Sequence, residues 1–331
     1  MGSKMSHDKR CSKPQVELFF RLFEAHHGGH LFVATKKWDE RCAYALMQKE
    51  MIIRLYNHVY ADPAYWNDLG VEDRIFQLAS AIAVVEPDAV FCGATAALLY
   101  GICSVYSLLD KVQVLLPRST RRDTYEFVEY RRWRAGEVWF TLTDPYRTVV
   151  DIARTTAFRY ALGYVDGLAR EYDVEREELR AYAQANCRGL HGIARAFDVF
   201  EHMDGRSDNG GESEARAAMI LAGVAAPELQ IEITRPGNAG YYLADYGWQM
   251  PNGSWMLAEL HGLGKFEDDA QNDPEHTAAK TYRAALMRDA NLRAMGHNVI
   301  HFKLSDTYDV KAFGSMMRGY GIPTTKPYAD S

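Results

Sequence analysis

YLADYGWQMPNGSWMLAELHGLGKF (242–266) decides how the chain is read. At its centre Pro251-Asn252-Gly253 carries the Asn-Gly pair that favours a tight hairpin, because such turns need positive φ. Strand-like runs flank it, Tyr241–Gln249 before and Trp255–His261 after. Side chains alternate along a strand, so Trp255, Leu257 and Glu259 share one face, and Glu259 ends an otherwise apolar row. A carboxylate there is costly unless it is paired or bound to a cation. Asp245 falls near the middle of the partner strand. Two carboxylates on neighbouring strands can clamp one Mg2+ (or Mn2+), a hard ion that prefers oxygen ligands. Such an ion activates water and offsets charge on a phosphoryl group.

Working outward, PGNAG (236–240) is a turn that follows a strand at Glu228–Thr234, and a helix at Glu212–Ala222 precedes that strand. Beyond the hairpin come a helix at Glu275–Met295 and a strand at Asn298–Lys303. Glu212 is a third carboxylate for the metal shell, or simply an acidic residue favoured at a helix N-terminus. His261 and Lys265 are candidates to orient water or stabilise the transition state. The plainer readings are packing for His261 and neutralisation of Glu267 or Asp268 for Lys265. Glu214 reads as a solvated helix charge and Arg288 as the partner of a carboxylate across the helix–strand interface. Leu286, Leu292 and Met295 read as core.

The order helix-strand-strand-strand-helix-strand, in the words GESEARAAMILAGV (211–224), YLADYGW (242–248), LAELHGLGKF (257–266) and LMRDANLRAMGHNVIHF (286–302), resembles the PD-(D/E)XK nuclease superfamily. It is most similar to the branch related to very-short-patch repair endonucleases. The resemblance implies a restriction-endonuclease-like fold and Mg2+-dependent phosphodiester hydrolysis centred on Asp245 and Glu259. Glu212 would complete the shell, and Lys265 or His261 would assist. The superfamily pattern expects Lys two residues after the strand Glu, where this chain has His261; Gly262, Lys265 and Phe266 match the branch's own extension. His261 therefore leaves two functions open. One is an active endodeoxyribonuclease, the other a non-catalytic regulator or antitoxin with a degenerate nuclease fold.

The front half reads differently. Val16, Phe19, Phe20 and Phe23 recur at helical spacing, and His27-Gly28-Gly29-His30 ends that helix. Thr35 can cap a short helix, a further helix follows near Glu40–Lys49, and MIIRLYNHVYA (51–61) reads as two short strands with a turn at Asn57. Trp38 and Met51 read as core. Helices are predicted at Val71–Val85, Ala94–Tyr100, Tyr146–Thr155 and Phe158–Glu171, with single strands at 111–117 and 138–145. The stretches LFVATKKW (31–38), VFCGATAALLYGI (90–102) and TLTDPYRTVVDIAR (141–154) resemble the winged-helix domain of AbiEi-type antitoxins and regulators. That resemblance implies DNA binding and a setting in phage or mobile-element defence. It also implies a partner protein from a toxin–antitoxin-like locus. Lys36, Lys37, Arg41 and Arg54 are the phosphate-contacting candidates there, and Arg121 and Arg122 are candidates in the arginine-rich stretch 118–134.

The expectation is a multidomain α/β protein. It comprises a winged helix-turn-helix at 13–62, an α+β domain at 63–204, and the nuclease-like α-β-β-β-α-β domain at 205–331, entered through the Gly- and Asx-rich GRSDNGG (205–211). Bulk properties agree. The chain has 331 residues, is 47% hydrophobic and 25% charged, and no apolar run is long enough to span a membrane. A polar start without an apolar signal core and five scattered cysteines predict a reducing cytoplasm. The net charge of −6 argues against indiscriminate nucleic-acid binding, so DNA contacts must come from local patches.

Overall fold

The computed structural model describes residues 11–102, 105–115, 125–131, 138–139, 142–238, 240–261 and 274–328. The chain is mixed α/β and divides into two compact units, 1–101 with 106–148, and 102–105 with 149–331.

The first unit begins with α1 (Lys13–His27), β1 (Phe32–Val33), α2 (Lys37–Met47), β2 (Ile53–Tyr56) and β3 (Val59–Ala61). The three strands form an antiparallel sheet in the order β1-β3-β2. Pro14 lies in the first turn of α1, and Gly28 ends that helix with Gly29 at φ 73°. The single helix α2 replaces the two short helices predicted over 35–49. The stripe Val16–Phe20–Phe23 does not face the core: Phe20 is 64% exposed, and Leu18, Leu22 and His26 are buried instead. Trp38, read as core, is 55% exposed, because Asp39, Cys42, Ala43 and Leu46 form the inner face of α2. Met51 is partly buried against that core. Next come α3 (Pro63–Asp68), α4 (Val71–Val85), α5 (Gly93–Leu99), β4 (Val112–Leu115) and β5 (Val128–Arg131), the last two paired in parallel. The single strand predicted at 138–145 is two short antiparallel strands, β6 (Val138–Trp139) and β7 (Leu142–Thr143). Helix α6 (Pro145–Thr155) carries the chain from one unit to the other.

The second unit contains α7 (Phe158–Tyr172), α8 (Arg176–Asn186), α9 (Ile193–Phe200), α10 (Gly210–Leu221), β8 (Glu228–Thr234) and β9 (Tyr241–Gln249). It continues with β10 (Trp255–His261), α11 (Pro274–Ala294), β11 (Asn298–Lys303) and α12 (Val310–Gly319). The sheet order is β11-β10-β9-β8, antiparallel except for the parallel pair β10–β11, as a crossover through α11 requires. Both faces are covered. Tyr246, Met256, Ala258 and Phe302 pack with Ala215, Ala218 and Met219 of α10 and with Phe313 and Met317 of α12. Leu257, Val299 and Ile231 pack with Leu292 of α11. Leu286, expected beside Leu292, lies on the outer side of α11 at 51% exposure, while Met295 is partly buried against this second cluster.

Residues 205–211, read as an inter-domain linker, lie inside the second unit. Gly205 packs against Ala169, where an added Cβ would come within 3.1 Å of that residue's own. Asn209 caps α10 by accepting the Glu212 backbone N–H at 3.0 Å. Glu214 is no solvated charge: it is buried and accepts from Arg159 Nε at 2.7 Å.

The centre of the sheet depends on a glycine. A Cβ at Gly247 would meet Ile231 Cγ1 at 2.6 Å and Trp255 Cε3 at 3.0 Å. Gly247→Ala is therefore expected to cost about 1–3 kcal/mol, the usual range for overpacking. Urea denaturation measures this directly, and an unshifted midpoint would show that the sheet has room there.

Candidate metal centre and nucleic-acid interface

The β9–β10 register runs through Met256↔Trp248, Leu257↔Gly247 and Ala258↔Tyr246. The register ends there, and Asp245 and Glu259 are the next residues along the two strands. Parallel pairing places His301 beside Glu259 and Lys303 beside His261. On the other side of β9, the β8 register passes from Leu229↔Tyr246 to Ile231↔Ala244, so Gln230 takes the place next to Asp245. The sheet thus brings Asp245, Glu259 and His301 near one another, with His261 and Lys303 beside them, while the Gln230 side chain turns to Glu212.

Asp245 Oδ2 accepts the backbone N–H of Leu260 at 2.8 Å, which fixes its carboxylate at the β9–β10 edge. Glu259 is mostly buried and receives both terminal nitrogens of Arg288, one at 3.1 Å; Arg288 Nη2 also donates to the Leu243 carbonyl at 2.6 Å. The reading of Arg288 as a cross-interface partner for a carboxylate matches this arrangement. Burial, and then the charge of Asp245, push the Glu259 carboxyl above its ordinary pKa, and the Arg288 guanidinium only partly offsets them.

His261 stacks on His301 with ring centroids 4.7 Å apart and planes 15° from parallel. Its pKa is lowered, first by desolvation and then by His301. His301 Nε2 lies 2.8 Å from Asp289 Oδ2, which orients the ring from α11. Glu212 is buried at the start of α10. Its carboxylate accepts from Asp208 N at 2.9 Å, Asn209 Nδ2 at 2.7 Å and Gln230 Nε2 at 3.3 Å. It is linked to β8 through Gln230. Lys265 lies outside the described residues.

Gln230, Asp289, His301 and Lys303 were not singled out in the sequence. The one available signal was alternation along NVIHFK (298–303), which puts His301 and Lys303 on one face of β11.

The donor chemistry fits a hard divalent cation. Two carboxylates on adjacent strands offer oxygen ligands, and Mg2+ commonly takes one or two protein carboxylates and keeps waters for the rest. The repulsion between Asp245 and Glu259, partly offset by Arg288, is what a cation would further reduce. Among the described residues no group of three or more His, Cys, Asp or Glu side chains is gathered as a metal site.

In the first unit, Lys36, Lys37 and Arg41 are exposed, with Lys36 just before α2 and the other two at i and i+4 along it. Trp38 and Tyr44 are exposed beside them, so the outer face of α2 interleaves basic and aromatic side chains. Asp39 points inward, where Arg21 of α1 grips it through Nη1 at 2.8 Å and Nη2 at 3.2 Å. On the hairpin, Arg54 is exposed and lies over the Tyr125 ring at 5.8 Å. His58 turns back to Glu40 at 3.1 Å. Arg121 and Arg122 lie outside the described residues.

No protein-family model matches the chain. Two proteins of Mycobacterium tuberculosis, "Uncharacterized protein MT2308" (strain CDC 1551 / Oshkosh) and "Uncharacterized protein Rv2248" (strain ATCC 25618 / H37Rv), are each 31% identical to it over 200 residues. That stretch is 60% of this chain and 70% of theirs. Among solved structures, the crystal structure of the RV2827C protein from Mycobacterium tuberculosis is similar at 15% identity and a TM-score of 0.38. The match covers 71% of this chain and 92% of that one. Among the described residues, no helix is long and apolar enough to cross a membrane.

Proposed function

The chain belongs to the family of the mycobacterial proteins MT2308 and Rv2248, and within it we propose a DNA-binding protein whose second unit is a Mg2+- or Mn2+-dependent endodeoxyribonuclease. The observation that carries this reading is the closeness of Asp245 and Glu259 at the end of the β9–β10 ladder, where burial and then the Asp245 charge raise the Glu259 pKa. Asp245 and Glu259 would hold the ion. A divalent cation in that place supplies positive charge that activates water and stabilises the phosphoryl group during hydrolysis. The chain's own residues do the rest. Lys303, beside His261 in the ladder, brings a second cation to the site. His261, with its pKa lowered, is poised to accept a proton. Asp289 holds the His301 ring in place.

DNA would be gathered by the outer face of α2, with Lys36, Lys37 and Arg41 on phosphate and Trp38 and Tyr44 beside them. A cytoplasmic defence role, with a toxin–antitoxin-like partner protein, is the setting that suits this pairing of activities.

One arrangement favours a second reading, a regulator or antitoxin that binds DNA without cutting it. Glu212 is already held by Asp208, Asn209 and Gln230, and Glu259 by Arg288.

Incubation of supercoiled plasmid with the full chain and Mg2+ or Mn2+ separates the two. The nuclease reading expects metal-dependent nicking that chelation stops. DNA retardation without cleavage in either metal would leave the regulator. Charge reversal of Lys36 and Lys37 together is expected to weaken DNA binding about tenfold or more and to flatten the slope of log K against log salt by about two. Gel-shift titration across salt concentrations reads both, and an unchanged slope would remove α2 from the interface.

A further inference from the structure

The first unit contains a cavity of about 250 Å³ that the reading above does not use. Trp66 of α3, Ile75 and Leu78 of α4, and Leu109, all buried, line it with Phe127, and the Trp66 and Phe127 rings meet edge to face at 5.1 Å. Two charged residues of opposite sign complete the lining. Arg74 is pinned: its Nε donates to the Trp66 carbonyl at 2.9 Å, its Nη2 to the Asn67 carbonyl at 2.6 Å, and its guanidinium carbon lies 5.8 Å from the Trp66 ring centre. Those bonds go to neutral carbonyls, and among the described residues no carboxylate pairs with the guanidinium. Asp110 is exposed at the same cavity and has no ion pair or hydrogen bond among the described residues. The two side chains line one space and do not pair with each other.

We propose that this cavity binds a free α-amino acid with a large apolar side chain. Its carboxylate meets Arg74, its ammonium meets Asp110, and its side chain fills the space walled by Trp66, Ile75, Leu78 and Phe127. Each part of the lining selects one part of that ligand. A fixed guanidinium with unused N–H donors suits a planar carboxylate. An apolar, aromatic wall gains from covering a large side chain and gains little from alanine or glycine. The volume is just below the roughly 300–1,000 Å³ of small-molecule sites, which suits a ligand of amino-acid size. A purely anionic or purely cationic ligand satisfies only one of the two charged residues.

Calorimetric titration of the full chain tests this with four probes, and with L-leucine, L-methionine and L-tryptophan should phenylalanine not bind. The four are L-phenylalanine, 3-phenylpropionate (no ammonium), phenylalanine amide (no carboxylate) and L-alanine (no apolar side chain). Phenylalanine is expected to bind, and each of the others to bind about tenfold more weakly or worse, since each lacks a charge-assisted hydrogen bond or the buried ring. Asp110→Asn changes an exposed residue, and an unchanged circular dichroism spectrum checks that the fold is intact. It is expected to bring phenylalanine down to the level of 3-phenylpropionate while leaving the latter unchanged. The proposal is overturned if phenylalanine, leucine, methionine and tryptophan all fail to bind at millimolar concentration. It is equally overturned if 3-phenylpropionate binds as well as phenylalanine, or if Asp110→Asn binds phenylalanine as the wild type does.

Discussion

Asp245→Asn is expected to lower metal-dependent plasmid cleavage about a thousandfold while making the metal-free protein more stable at neutral pH. The first effect follows from removing half of the charge that would hold the cation; about 4 kcal/mol of lost transition-state stabilisation is about three decades in rate. The second follows from Glu259. Asp245 is, after burial, the largest influence holding its carboxyl above the ordinary 4.5. A raised folded-state pKa means that the folded protein binds this proton more tightly than the unfolded chain. The contribution of Glu259 is therefore most favourable below its unfolded pKa. It declines as pH rises through the interval up to the folded pKa and stays low above it. Asparagine removes the neighbouring charge and narrows that interval, so the gain appears above it. The amide oxygen still accepts the Leu260 N–H, so the strand edge keeps its bond. Urea denaturation with chelator, at acid and at neutral pH, measures the second effect alongside the cleavage assay. Unchanged cleavage would remove Asp245 from the metal centre. Unchanged neutral-pH stability would mean that Asp245 and Glu259 do not feel each other.

The same pair shows how much of this site could be read from the sequence. The Asn252-Gly253 turn ties the β9–β10 register, which runs to Ala258↔Tyr246 and leaves Asp245 and Glu259 as the next residue on each strand. His301 and Lys303 could not be placed that way, because β11 joins β10 through a parallel crossover, and no turn ties its register to the hairpin. In α1 the difficulty was of another kind. Val16, Phe20 and Phe23 make one apolar stripe, Leu18 and Leu22 make another, and periodicity cannot say which faces inward. Tertiary packing chose the second. Trp38 was misread because a large aromatic residue ordinarily signals core, whereas Arg21 draws Asp39 inward and rotates Trp38 out. Glu214 looked like a surface charge because its partner, Arg159, lies 55 residues earlier on another helix.

That buried polar seam between α7 and α10 yields the largest expected effect on stability. Arg216 Nη2 donates to both oxygens of Asp166, at 2.8 and 2.7 Å, and Asp166 also accepts the Asp204 backbone N–H at 2.9 Å. Asp166 is fully buried and Arg216 nearly so. Arg216→Met leaves the carboxylate buried without its counter-charge, and the expected loss is about 3–5 kcal/mol. Adding Asp166→Asn should restore most of it. The amide fits the space, still accepts from Asp204, and removes the charge that had been stranded. Part of the wild-type pair's benefit is already forfeited, since Arg216 Nε is buried without a hydrogen-bond partner among the described residues. The neutral double variant should therefore fall close to the wild type rather than far below it. Equilibrium unfolding in guanidinium chloride of the wild type, both single variants and the double variant gives the coupling energy directly. Additive losses would show that the two side chains stabilise the seam independently. A strong non-additive recovery would show that the charge of Asp166 is tolerated there only because Arg216 answers it, and that these two helices fold as one unit across residues 205–211.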